Sequence, residues 1–220
     1  MTRFEYAPEV RSTYPELASR IVRAGGIRPD VQVGDRMRRF EDVARRRLSA
    51  ATESGFPEIQ AWRRAFSRMG LRPTDYRCAS EALLRRFRRE GTLPRLHPLV
   101  DLCNAVSLAT AIPVAVFDLE RIDGDLLVRH ATGTERFLTF GGEMESPKPG
   151  EVVFADQAGN AHARRWTNRQ SGLSAVHPET SAVLIVAEAM HATGAEDVAA
   201  LTETLTAELG QVWGPVVEEG

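Results

Sequence analysis

The chain has 220 residues, 43% apolar and 26% charged, which is ordinary for a globular protein. No apolar run approaches the ~20 residues that cross a bilayer, so a membrane-spanning helix is excluded, and the length fits one sizeable domain or one domain with an extension. The net charge of −2 hides a split: residues 1–100 hold 21 arginines against 12 acidic residues, and residues 101–220 hold 7 Arg and Lys against 18 acidic residues.

That split predicts a basic surface on one side of the molecule. Arginine also outnumbers lysine 27 to 1. Arginine suits bidentate phosphate contact, so nucleic-acid binding is permitted, though base composition of a genome gives the same bias. The first residues show no charged-then-apolar leader pattern, and the expected location is cytoplasmic. The five histidines (His97, His130, His162, His177, His191) have no zinc-like spacing, so no metal and no cofactor is expected. Cys78 and Cys103 fall on apolar helix faces and read as reduced core cysteines; a cysteine nucleophile would need a histidine partner.

In chain order, residues 18–28 read as a first strand closed by the Gly25-Gly26 turn. Residues 34–52 follow a helical period through Met37, Phe40, Val43, Ala44 and Leu48. Pro57 opens a second helix, with Ile59, Trp62, Phe66 and Met69 as its stripe, and Gly70 ends it. Residues 1–70 are expected to form an N-terminal layer on a domain covering 71–220. A third helix buries Ala79, Ala82, Leu83 and Phe87 and ends at Gly91. Its arginines Arg85, Arg88 and Arg89 read either as a solvated face or as phosphate contacts.

The next helix buries Leu99, Leu102, Cys103 and Val106. Asp101, Asn104 and Ser107 interrupt it at spacing three. Pro113 ends it, and Val114–Phe117 is a strand. Further strands are expected at Leu126–Arg129, Arg136–Thr139, Glu151–Ala155 and Ala182–Val186. Turns are expected at Asp123-Gly124, Gly141-Gly142 and Pro149-Gly150. Thr193 to Glu196 is a capping-box pattern opening a last helix, buried through Val198, Leu201 and Leu205. Without regular βαβ alternation, the class is α+β: a mixed, mostly antiparallel sheet packed with helices.

The string VDLCNAVSLATAIPVAVFDLERIDG resembles the editing domain in the beta chain of phenylalanyl-tRNA synthetase. Val100, Asp101, Asn104, Pro113, Phe117, Asp118, Ile122 and Gly124 match that family's pattern in register. Gly142, the Pro149–Val153 turn and strand, Ala155-Asp156, Arg169-Gln170-Ser171, Ser174, Val176 and Thr180 follow in the family's order. The resemblance covers roughly residues 70–210, and the chain is similar to a free-standing version of the domain. It implies the editing-domain fold and a trans-editing role: hydrolysis of the ester joining a wrong amino acid to tRNA, a second sieve that binding alone does not supply. The implied partners are aminoacylated tRNA and a small amino-acid ligand, with no membrane.

Two positions depart from the family. Ala115 stands where the synthetase domain has a pocket histidine. Val186 stands where it has a glutamate, and Glu188 lies two residues on, on the same strand face. Tyrosine specificity is therefore not carried over. Ester hydrolysis needs a placed water and a stabilised oxyanion, so the expected catalytic groups are Asn104 and the glycine-turn N–H groups of Gly141 and Gly142. Substrate contacts fall to Asp101, Ala115, Phe117, Val186, Glu188, Arg169 and Gln170. Contacts to tRNA fall to Arg85, Arg88, Arg89 and Trp166. For Asn104 the structural alternative is a buried amide tying up backbone; for Asp118 it is an aspartate bonding its own turn. The alternatives to a deacylase are a non-catalytic amino-acid or tRNA binding module and an interaction protein that has lost the pocket.

Overall fold

The structure, a computed structural model, describes residues 2–214 and 216–219. In chain order the elements are β1 (Phe4–Tyr6), α1 (Pro8–Thr13), β2 (Ala18–Gly25), α2 (Gly34–Ala50), α3 (Pro57–Arg68), α4 (Ala79–Glu90), α5 (Pro98–Thr110) and β3 (Val114–Asp118). There follow β4 (Leu126–His130), β5 (Phe137–Leu138), β6 (Met144–Glu145), β7 (Val152–Ala155), β8 (Ala161–Arg164), β9 (Arg169–Gln170), β10 (Ala182–Ala189), α6 (Gly194–Trp213) and β11 (Val216–Glu219). The class is α+β with mostly antiparallel pairing, as the pattern predicts.

The chain divides into two compact units, Met1–Pro15 with Phe117–Ala175, and Glu16–Val116 with Val176–Gly220. Neither border falls near residue 70: the first fifteen residues belong to one unit and residues 16–70 to the other.

The larger unit has a four-stranded sheet in the order β11-β2-β10-β3. Strand β2 runs antiparallel to both β10 and β11, with Ile185 opposite Val22 and Val183 opposite Ala24. Those residues, with Ala187 and Ala189, face a core built from α2, α5 and α6: Met37, Leu99, Leu102, Val106, Leu201 and Leu205 among others. Each such aliphatic side chain contributes about 1.5–3 kcal/mol by leaving water. Pro57 and Pro98 start α3 and α5 where a missing N–H is harmless. Gly91, at φ +74°, ends α4 in the left-handed region.

The smaller unit has a five-stranded sheet in the order β1-β4-β7-β8-β9, with β1 parallel to β4 and the other pairs antiparallel. A separate hairpin pairs β5 with β6. Phe154 stacks on Phe4 and tilts against Phe117, with centroids 5.9 and 5.5 Å away.

Two expectations are corrected. The capping box at Thr193 does not form: its oxygen accepts no helix N–H, and its hydroxyl instead donates to the Asp197 carboxylate at 2.6 Å. Ser107 donates forward to the Ile112 carbonyl at 2.6 Å, beyond the helix end. The basic surface is neutralised in part. Arg36 and Arg39 share Glu208, Arg47 meets Glu58, Arg63 meets Glu81, and Arg88 meets Glu53.

Candidate functional site

In the larger unit, His97, Asp101 and Asn104 follow one another at i, i+4 and i+7 along α5, opposite the stripe of Leu99, Leu102 and Val106. The imidazole of His97 caps the helix: Nδ1 accepts the Leu99 N–H at 3.2 Å. The proton of the neutral ring therefore sits on Nε2, a buried atom with no hydrogen-bond partner among the described residues. Burial holds the His97 pKa below the ordinary histidine value, and Asp101 only partly offsets it. Burial also raises the Asp101 carboxyl, against the Leu96 N–H that it accepts at 2.9 Å. Asn104 is half-buried, and its side-chain amide has no hydrogen-bond partner among the described residues. It ties up no backbone. The stripe thus offers two unsatisfied donors beside one carboxylate, a set suited to a small polar ligand with a carbonyl and an ammonium.

The other residues expected with Asn104 lie elsewhere in this unit. On β10 the odd positions from Val183 to Ala189 face the helical core, so Val186 and Glu188 take the opposite sheet face. Ala115 alternates in the same way with Val114 and Val116 on β3. Glu188 is 1% exposed. The polar stripe of α5 and these strand residues therefore stand on different sides of the four-stranded sheet. Of the three α4 arginines, Arg88 holds the buried Glu53 and Arg89 pairs with Glu90. Arg85 is exposed and has no ion-pair partner among the described residues.

In the smaller unit, Gly141 and Gly142 form the tip of the β5–β6 hairpin. The Gly142 N–H, at φ +87°, already donates to the Thr139 carbonyl at 3.0 Å, so of the two it is the Gly141 amide that has no partner among the described residues. Arg169 pairs with Glu145 at 3.2 Å and lies over the Phe137 ring at 5.2 Å. Arg164 shares both partners. Gln170 follows on β9, half-buried. Trp166 is not an exposed edge. Residues Arg165 and Trp166 both have positive φ, 47° and 57°, and the turn folds the indole inward until it is fully buried against Tyr14, edge on at 4.9 Å. Phe117 is equally buried and packs on Phe154. Asp118 bonds its own turn, accepting the Glu120 N–H at 2.9 Å.

A line of polar side chains that no sequence pattern announces runs through this unit. Asp156 Oδ2 lies 3.1 Å from His162 Nε2, and His162 Nδ1 lies 2.8 Å from Ser174 Oγ. The three come from the end of β7, from β8 and from the turn Gly172–Ser174, so nothing in their spacing signals them. Burial pushes His162 below its ordinary value. At Asp156 burial works the other way, but bonds from Asn160, His162 and Asp123 outweigh it and hold the carboxyl low. The ring is thus neutral, donates from Nε2, and accepts the Ser174 hydroxyl proton. Neither cysteine offers a nucleophile: burial pushes Cys78 and Cys103 up to about 12.

Residues 61–204 match the model of the B3/4 domain. The chain is 27% identical over 136 residues to the phenylalanine–tRNA ligase beta subunit of Photorhabdus laumondii, covering 60% of this chain and 17% of that protein. It is 40% identical over 72 residues to the corresponding subunit of Methylococcus capsulatus, covering 33% of this chain and 9% of that one. The chain therefore spans less than a fifth of the length of these relatives. An N-terminal fragment of the phenylalanyl-tRNA synthetase beta subunit from Pyrococcus horikoshii has the same fold, with a TM-score of 0.50 at 12% identity, over 98% of this chain and 50% of that one. With most of its length matched by that model, the chain belongs to the B3/4 domain family.

Proposed function

We propose that the protein is a trans-editing factor that hydrolyses the ester of a misacylated tRNA. The observation that carries this reading is the half-buried Asn104 amide without a partner among the described residues, on one stripe with the unsatisfied His97 Nε2–H and with Asp101. Aminoacyl esters are labile, and an enzyme that positions water and ester correctly needs no strong base. Asn104 and His97 hold the substrate's polar groups and Asp101 receives its ammonium. Incubation with a panel of mischarged tRNAs tests this. Wild type accelerates release for at least one pair and Asn104→Ala does not; spontaneous rates for every pair would sink it.

A second reading, an amino-acid or tRNA binding module, draws on Ala115, which has no side chain able to move a proton, and on the Gly142 N–H already used within its turn. A thermal shift with free amino acids, in a protein that releases nothing from any tRNA, would favour it.

A further inference from the structure

Between the start of α2 and the end of α6 lies an open cleft of about 620 Å³, lined by Gln32, Asp35, Arg36, Arg38, Arg39 and Gln211. No large apolar side chain lines it, so it suits a charged ligand. Glu208, mostly buried, sets the guanidiniums: it accepts from Arg36 Nη1 at 2.6 Å and from Arg39 Nη2 at 2.8 Å. Arg36 Nη1 also donates to Gln211 at 2.8 Å. The remaining nitrogens of both forks have no partner among the described residues. One carboxylate thus orients two forks without neutralising both, and Asp35 balances only Arg38. The side chains of Arg38 and Arg39 are 66% and 63% exposed.

The charge continues beyond the cleft. Arg45 and Arg46 lie seven residues after Arg38 and Arg39, two turns on, so the four make a double row about 10 Å long on the outer side of α2, in which Arg45 is paired with Asp42 at 2.6 Å and Arg46 adds the open charge. Arg46 is exposed and has no ion-pair partner among the described residues. Planar forks fixed at one edge and open at the other match tetrahedral phosphate oxygens in pairs. A row of them fits a chain of phosphates better than a single anion.

We propose that this cleft and the arginine row along α2 grip the phosphate backbone of RNA, independently of base sequence. The partner is the tRNA of the proposed function, on which this inference rests. Filter binding of uncharged bulk tRNA across about 50–200 mM salt tests it. The double variant Arg38→Ala/Arg39→Ala should bind about tenfold more weakly, with the log–log salt slope reduced by about one to two. Arg11→Ala, an exposed arginine of the other unit, should change neither. Melting curves confirm that both variants fold.

Unchanged affinity and slope in the double variant would overturn the proposal, as would an equal loss in Arg11→Ala. A melting shift with inorganic phosphate that depends on Arg38 and Arg39, without any change in tRNA affinity, would assign the cleft to a small phosphorylated ligand instead. Displacement of tRNA by poly-glutamate at equal charge concentration would assign it to an acidic protein. Hydrolysis of a mischarged CCA trinucleotide separates this surface from the editing site: the double variant should match wild type on it. A protein that hydrolyses nothing but loses tRNA in the double variant would sink the editing reading and leave this one standing.

Discussion

His162 accepts the hydroxyl proton of Ser174 across 2.8 Å while its other nitrogen donates to Asp156 across 3.1 Å, and all three side chains are out of contact with solvent. Members and order match a nucleophile, base and orienting acid, but the setting does not. Asp156 also takes both the backbone and side-chain N–H groups of Asn160, at 2.8 and 2.9 Å, and the Asp123 N–H at 3.2 Å. The same network therefore ties the turn before β4, the β7–β8 hairpin and the turn at Ser174 to one carboxylate.

A fastener of this kind predicts stability effects rather than catalytic ones. His162→Leu strands a buried hydroxyl and removes one donor from a buried carboxylate, and should cost about 2–4 kcal/mol. Ser174→Ala, which leaves His162 Nδ1 without its donor, should cost about 1–2 kcal/mol. Urea unfolding midpoints measure both. Labelling of native Ser174 by a fluorophosphonate would contradict this assignment.

Acid should weaken the fold in a window set by its buried histidines. His162 and His97 are held neutral by burial, each below the ordinary value of 6.5. The unfolded chain takes up these protons more readily than the native one, so native stability falls as pH drops below about 6.5. His162→Gln should flatten that part of the curve; an equally steep loss in the variant would assign the effect to other groups.

Glu135 governs a lower range. Its carboxylate accepts the N–H groups of Thr132 and Gly133, at 2.9 and 3.0 Å, and the Arg129 guanidinium at 2.5 Å. Burial raises its pKa, but these bonds and the Thr132 hydroxyl together bring it down to about 2. For a lowered carboxylate the contribution is complete above the unfolded value near 4.5 and is lost as pH falls toward about 2. Glu135→Gln should lower stability at neutral pH and remove that acid limb, as seen by thermal melts between about pH 5 and 2.

Within the same turn, Gly133 has φ +98° and its missing Cβ would lie 2.8 Å from Pro149 Cγ. A proline ring has little room to yield. Gly133→Ala should therefore cost about 2 kcal/mol or more, combining left-handed strain with the clash. A melting temperature within about a degree of wild type would show that the Thr132–Glu135 turn relaxes instead.

Helices and long strands were legible because a period of 3.6 or 2 survives wherever one face is buried. Thus Met37, Leu99 and Val106 mark α2 and α5 correctly. Strand β8 was not legible: all four residues of Ala161–Arg164 are buried, so no alternation separates core from solvent. The polar stripe of α5 was visible as spacing, but Asp101 and Ser107 turn out to bond backbone while Asn104 does not. Spacing alone carries no information on partners. The arginine excess overstates the basic surface for a related reason, since Glu208 offsets one of the two charges of Arg36 and Arg39 from 172 and 169 residues away. A tRNA contact at Trp166 requires an exposed indole, and nothing in the sequence announces the positive φ at Arg165 and Trp166 that folds it inward.

Asn104 separates function from stability most cleanly. An amide that holds no backbone and no side chain in the native state can be removed without stranding a protein partner. Asn104→Ala should shift stability by less than about 0.5 kcal/mol. Asp101→Asn, by contrast, weakens a bond to the Leu96 N–H at the start of α5 and should cost about 1 kcal/mol. If Asn104 positions the ester or its water, the alanine variant should lose about a hundredfold in the rate of deacylation while melting like wild type. A large fall in melting temperature in Asn104→Ala would instead mark the amide as structural, and the loss of rate would then say nothing about the site.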